Sequence, residues 1–179
     1  MWATSGLSVQ DYVDELETPA YADQCHANLS GAMKHFGPML PAAKGTGANR
    51  YWESTLKSLI RDVSSELGIP IDTARSWILS QVATIEAGAY HSKKFPLGGF
   101  AALPSTKAAK SFVDGYVMGR VQNSECVVFV WRQASFWDLP KNVPGVKERD
   151  RRKANGRYLV KDERAFMVEK LAQVYRRHE

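Results

Sequence analysis

The sequence has little cysteine and no long apolar run. Cys25 and Cys126 are the two cysteines among 179 residues, too few for a disulfide framework. The apolar setting of Cys126 favours a buried thiol. The longest apolar run, residues 126–131, is far too short to span a membrane, and no basic region followed by an apolar core marks a secretory signal. These absences predict a cytoplasmic protein without a membrane partner.

Motifs for several common chemistries are also missing. Residues 97–100 contain two glycines but match neither the phosphate loop of NTPases nor the dinucleotide-binding pattern. No serine lies in a nucleophile elbow. The spacing of Cys25, His26 and His35 does not suit a structural zinc site. We therefore predict no cofactor and no metal, and nucleotide hydrolysis is disfavoured.

Two amphipathic helical patterns meet at a short break within residues 58–82. Gly68 suits the left-handed conformation that ends a helix, and Pro70 prevents the first helix from continuing. Asp72 is then the predicted N-cap of the second helix. Apolar residues recur at helical spacing on both sides of the break: Trp52, Leu56, Leu59, Ile60, Val63 and Leu67 before it, and Ala74, Trp77, Ile78, Val82 and Ile85 after it. This outline resembles a helix-turn-helix unit.

The remaining segments predict a mainly α fold with at most a small β element. Residues 105–117 favour a helix that carries Phe112 and Tyr116 on its apolar stripe, and residues 162–177 favour a final helix. Residues 125–132 are β-branched and aromatic, which predicts a strand, although a buried helix is the alternative for so short a run. A second strand is predicted at 157–160.

Charge is distributed unevenly along the chain. The net charge is +5, but residues 1–48 hold two basic and five acidic side chains, so the rest carries +8. We interpret residues 1–48 as an acidic N-terminal helical segment and residues 49–179 as a basic helical core, together one compact domain.

Basic residues cluster at 141–161, where eight cations stand against two carboxylates. Such a cluster favours polyanions, and phosphate backbones are the commonest partner. The predicted partner is DNA, with RNA possible; a solvated basic loop is the alternative. The predicted nucleic-acid contacts are Arg75, Lys93, Lys94, Trp137, Lys147, Arg149, Arg151, Arg152, Lys153 and Arg157. Among them Arg75 and an exposed Trp137 are the candidate base contacts.

Residues 107–112 (KAAKSF) followed by 127–132 (VVFVWR) resemble helical DNA glycosylases and their relatives in phages and mobile elements. The resemblance covers residues 51–138 and lacks the second hairpin glycine. It implies excision of a modified base, with Lys110 (or Lys107) as the lysine nucleophile and Asp138 as the aspartate that stabilises the sugar cation.

Three other functions remain open. The helix pair alone favours a regulator without catalysis. Residues 100–112 and 163–168 resemble ADP-ribosyltransferases, but Lys107 follows Ser105-Thr106 and Ala165 replaces the second glutamate. The last alternative is a protein inhibitor encoded by a mobile element.

Overall fold

The computed structural model describes residue 23 and residues 39–85, 102–131, 134–149 and 158–179. Their architecture is mainly helical with one two-stranded parallel sheet, which confirms the predicted fold class. These residues fall into two compact units. The first contains the described residues up to 84 together with 158–179, and the second contains residues 85, 102–131 and 134–149. The predicted boundary at 48/49 stays a prediction, since most of residues 1–38 lie outside the described residues.

The first unit begins with a 3₁₀ turn at Pro41–Ala43 and is built on helix α1, Gly47–Leu67. The side chain of Thr46 caps α1 by accepting a hydrogen bond from the amide of Asn49 at 3.1 Å. The helix ends at Gly68, whose φ of +65° is the left-handed conformation that the sequence predicts.

Helix α2, Ile71–Gln81, follows directly and packs against α1. Its N-cap is Pro70, so the prediction of Asp72 as the cap is wrong: Asp72 lies in the first turn, where its carboxylate faces the positive end of the helix dipole. The predicted helix pair is confirmed.

The last helix of the unit, α6, spans Lys161–His178 and also packs against α1. Its Tyr175 meets Trp77 of α2 edge to face, with ring centroids 5.2 Å apart. The side chains buried most deeply in the unit include Leu56, Leu59, Val63 and Ile78. Among residues 39–84 and 158–179, the unit therefore contains three α-helices, with α1 in contact with the other two.

The second unit contains helix α3 (Pro104–Phe112), which continues through a π-helical turn (Val113–Val117) into α4 (Met118–Gln122). Strand β1 (Val128–Val130) follows, then the short helix α5 (Ala134–Trp137) and strand β2 (Val146–Glu148). The two strands are parallel, with Val128 opposite Val146. Their common core consists of Val113, Met118, Val121, Val130, Trp137 and Leu139.

The predicted strand at 125–132 is confirmed at its centre, and the alternative of a buried helix is wrong there. The predicted strand at 157–160 is wrong for its described residues, 158–160. The backbone of Val160 instead begins α6, because its amide donates to Glu163 Oε2 at 2.9 Å and its carbonyl accepts from the amide of Arg164 at 3.0 Å. The partner of β1 is β2.

Gly145 allows the chain to enter β2. Its φ is +90°, and a Cβ built there would lie 3.2 Å from Cγ1 of the buried Val121. Its carbonyl also accepts the amide of Val128 at 2.8 Å, at the start of β1. Both the positive φ and the close approach of Val121 therefore disfavour any residue other than glycine at position 145.

We expect Gly145→Ala to lower the free energy of unfolding by about 1–3 kcal/mol, the usual range for a non-glycine residue held in a disfavoured backbone conformation. The matched control is Gly119→Ala in α4, where an added Cβ meets nothing within 4 Å and a helical alanine is favoured by about 0.5–1 kcal/mol. Urea denaturation of both variants measures the difference. Equal stability of the two variants would contradict this role of Gly145.

Candidate nucleic-acid interface

Helix α3 and its continuation have a buried apolar face and an exposed aromatic face. Val113 and Val121 are buried in the core of the second unit, and Ala109 and Val117 pack against that core. Phe112 and Tyr116 lie on the other side, with 47% and 55% of their surfaces exposed. The prediction that these two aromatics share the buried stripe is wrong. A helix can bury only one face against this small core, and the valines occupy it.

The exposed side chains form a ladder, by which we mean Phe112, Tyr116 and Arg120. The rings of Phe112 and Tyr116 stack with centroids 5.1 Å apart and planes at 25°. The guanidinium carbon of Arg120 lies 5.7 Å from the centroid of the Tyr116 ring. Such distances are typical of aromatic stacking and of cation–π contacts. The ladder is thus a row of flat, solvent-exposed groups.

Arg120 is held in this row by two polar contacts. Its Nη1 donates to the hydroxyl of Tyr116 at 3.1 Å, and its Nε donates to Oε2 of Glu125 at 3.1 Å. The hydrogen bond to Tyr116 raises the pKa of the Arg120 guanidinium further, so the group stays charged. The ladder therefore ends in a positioned cation.

The ladder lies in the basic part of the chain. Residues 85–154, the range of the second unit apart from a short N-terminal segment, hold twelve Lys and Arg against six Asp and Glu, a net charge of +6. Lys107 and Lys141 are exposed and Lys147 is half-buried; none of the three forms an ion pair with another described residue. The ladder therefore lies within a range of the sequence that has an excess of positive charge.

Two predicted contacts are buried instead of exposed. Trp137 is 9% exposed and belongs to the core, where its ring meets Phe136 edge to face at 5.0 Å. The expectation of an exposed Trp137 is therefore wrong. Arg149 is 7% exposed, with its guanidinium carbon 4.7 Å from the centroid of the Trp131 ring. Its guanidinium packs against an aromatic surface, which does not favour a phosphate contact.

Arg75 is occupied by contacts within the first unit. It pairs with Glu53 of α1 through both guanidinium nitrogens and donates to the carbonyl of Met39 at 3.2 Å. The hydrogen bond from Arg75 lowers the pKa of Glu53. A base contact would have to replace this pair, so the geometry favours a structural role for Arg75. The exposed residues of α2 are polar or small apart from Ile71.

Lys110 and Asp138, the predicted catalytic pair, are brought together. Lys110 Nζ donates to the carbonyl oxygen of Trp137 at 2.8 Å. Peptide geometry then places this ammonium within about 6 Å of the Cα of Asp138, the next residue. Lys110 also pairs with Asp114 at 3.0 Å. Asp138 is exposed and has a φ of +46°. Both contacts of Lys110 use N–H donors, whereas a nucleophile needs the lone pair of the neutral amine.

Lys93, Lys94, Arg151, Arg152, Lys153 and Arg157 lie outside the described residues, so these predicted contacts remain predictions. Lys147 is the predicted contact that β2 carries, opposite Phe129. Phe112 and Tyr116 are four residues apart, as are Ala109, Val113 and Val117. Helical periodicity alone therefore does not show which of the two sets is buried, and the ladder is missed. The i, i+4, i+8 spacing of Phe112, Tyr116 and Arg120 is the signal that indicates it.

Neither a metal cluster nor a membrane-spanning helix is found in the part of the chain that the structure describes. No three His, Cys, Asp or Glu residues there are grouped as metal ligands. No helix there has the length and apolarity needed to cross a bilayer. No protein family, curated protein or solved structure matches the chain, so the described geometry and the charge carry the functional inference.

Cys126 lies in the chain between α4 and β1. It is half-buried, and its thiol lies 3.8 Å from the carbonyl oxygen of Val117. Burial raises the pKa of the Cys126 thiol, although Arg120 opposes this in part. The reactive thiolate is therefore disfavoured at neutral pH, and Cys126 is a structural residue, not a candidate nucleophile.

We expect Cys126 to react slowly with iodoacetamide at pH 7, in a Cys25→Ser variant that leaves it as the remaining cysteine. Each unit of raised pKa lowers the thiolate fraction about tenfold, and packing restricts access as well. Mass spectrometry of native and urea-unfolded protein compares the rates, and raising the pH should accelerate the native reaction. Equal rates in both states would refute the assignment.

Proposed function

We propose that this protein binds nucleic acid, with DNA preferred to RNA. Basic residues within 85–154 would contact the phosphates, and the ladder would stack on the bases. The observation that carries the proposal is the exposed stack of Phe112 and Tyr116, continued by Arg120, in the range of the chain with a net charge of +6. Flat aromatic and guanidinium groups are the surfaces on which unpaired bases stack.

The exposed apolar surface of the ladder favours the binding of a ligand there. An exposed phenylalanine gains little from the core, and a base stacked on it removes apolar surface from water. Base–aromatic stacking contributes about 1–3 kcal/mol per base. Phosphate contacts from neighbouring lysines add affinity without discrimination between sequences. The ladder therefore supplies the base contact that the sequence assigns to Trp137 and Arg75.

Unpaired bases are the favoured target. The faces of paired bases are covered by their neighbours in a duplex, whereas a single strand, a loop or a flipped base presents them. The protein should thus bind single-stranded DNA more tightly than duplex of the same sequence at equal salt.

We expect Phe112→Leu to weaken the binding of single-stranded DNA, measured by fluorescence anisotropy with a labelled strand of about 30 nucleotides, long enough for the site sizes of such proteins. Leucine keeps the apolar character but removes the ring, and the loss of about 1–3 kcal/mol corresponds to about 5- to 150-fold in Kd. Phe112→Tyr is the matched control and should retain affinity. Wild-type affinity should also fall steeply as salt rises.

The proposal fails if wild-type protein does not bind the strand at low salt. A base-stacking role for the ladder fails if the leucine and tyrosine variants bind equally well.

Excision of a modified base is the second candidate, supported by the hydrogen bond of Lys110 to the carbonyl oxygen of Trp137, the residue before Asp138. A lysine nucleophile would form a Schiff base with the sugar as the base leaves, and the carboxylate of Asp138 would favour the cationic transition state.

We expect the wild-type protein, if it excises bases, to create alkali-labile sites in DNA that contains modified bases. Lys110→Arg should abolish them while retaining binding, because arginine keeps the charge and the hydrogen-bonding capacity but does not form a Schiff base. Alkaline strand-scission analysis measures the sites. Intact strands across a panel of modified bases would leave the protein a binder without catalysis.

A further inference from the structure

The carboxylates and the cations of helix α1 differ in their partners. Each of its carboxylates pairs with an arginine of a neighbouring helix: Glu53 with Arg75, Asp62 with Arg164 and Glu66 with Arg176. The Arg75 Nη1–Glu53 Oε2 distance is 2.9 Å, and the other two pairs measure 2.8 Å. These pairs direct the acidic side chains of α1 towards α2 and α6.

The cations of α1 are on the exposed side. Arg50, Lys57 and Arg61 are all exposed, and they recur at steps of seven and four residues, which places them on one face of a helix. Lys44 is also exposed and precedes Gly45, whose carbonyl accepts a hydrogen bond from Arg50. We call Lys44, Arg50, Lys57 and Arg61 the basic face.

Within the described ranges, two members of the basic face have no carboxylate partner. Lys57 and Arg61 make no ion pair with any residue in the described ranges, while every carboxylate of α1 is already paired. Like charges four residues apart on a helix are destabilising by about 0.2–0.5 kcal/mol. An anionic ligand along this face would remove that cost.

We propose that the basic face is a second nucleic-acid contact, one that binds the phosphate backbone and reads no base. This inference rests on the proposed function and adds a surface of the first unit to it. Arg50 to Arg61 extends over about 16 Å of helix, enough to meet successive phosphates, since each strand of a duplex carries one phosphate per about 3.4 Å of helix axis. Residues 44–61 carry no exposed aromatic group, so the contacts of this face are independent of sequence.

The test compares Lys57→Gln/Arg61→Gln with wild-type protein on the same labelled single strand over a series of salt concentrations. Glutamine favours helix about as well as lysine and arginine do, and circular dichroism confirms folding. Loss of two phosphate contacts should reduce the slope of log K against log salt by about 1.4 on a single strand. The matched control, Lys170→Gln/Arg177→Gln, removes two cations of α6 in the same unit, outside the basic cluster at 141–161, and should leave the slope near the wild-type value.

A strand of abasic sites of the same length separates the two contacts. The slope difference between wild type and Lys57→Gln/Arg61→Gln should persist on this strand, whereas Phe112→Leu should have no effect there. An unchanged slope in the Lys57→Gln/Arg61→Gln variant, beside a wild type that binds and a Phe112→Leu variant that binds weakly, overturns the basic face alone. A wild type that binds neither strand overturns both proposals.

Discussion

The burial of one face of α1 is the constraint on which the first unit depends. Leu56, Leu59 and Val63 lie on that face and are almost completely removed from water, which is the main favourable contribution to packing. Once they are buried, the positions at the edges of the face come within reach of α2 and α6, and there the carboxylates meet arginines. The remaining positions must face solvent, and they include the basic ones. The same rotation of the helix that forms the core therefore also creates the basic face.

The second unit follows the same logic with a smaller core. Val113, Met118 and Val121 join Val130, Trp137 and Leu139 in one cluster. The turn at 113–117 is π-helical, a geometry often found at functional positions. Because the valines occupy the buried side, Phe112 and Tyr116 remain in solvent and stack on each other instead. A stack in solvent keeps an outer surface that another flat group can cover, which is the physical basis of the proposed base contact.

Particular residues show where sequence reasoning succeeds. Gly68 and Pro70 predict the break between α1 and α2 because each has a backbone preference that acts locally. The strand at 128–130 is predicted for a related reason, since β-branched residues favour extended backbone. The predicted partner of that strand is wrong, because pairing depends on contacts distant in the chain, and the amide and carbonyl of Val160 are used to begin α6.

Periodicity, charge and local backbone preference can be read from the amino-acid sequence alone. They predict a mainly helical chain, a helix pair with a three-residue break, and a basic excess after residue 48. Which aromatic residue is buried, and which cation has a partner, depends on the tertiary fold. Trp137 and Phe112 have similar side-chain chemistry, yet one fills the core and the other faces solvent, because the space within the core is limited. Arg75 and Arg61 differ in the same way, since a carboxylate from another helix lies within reach of Arg75 but not of Arg61 among the described residues.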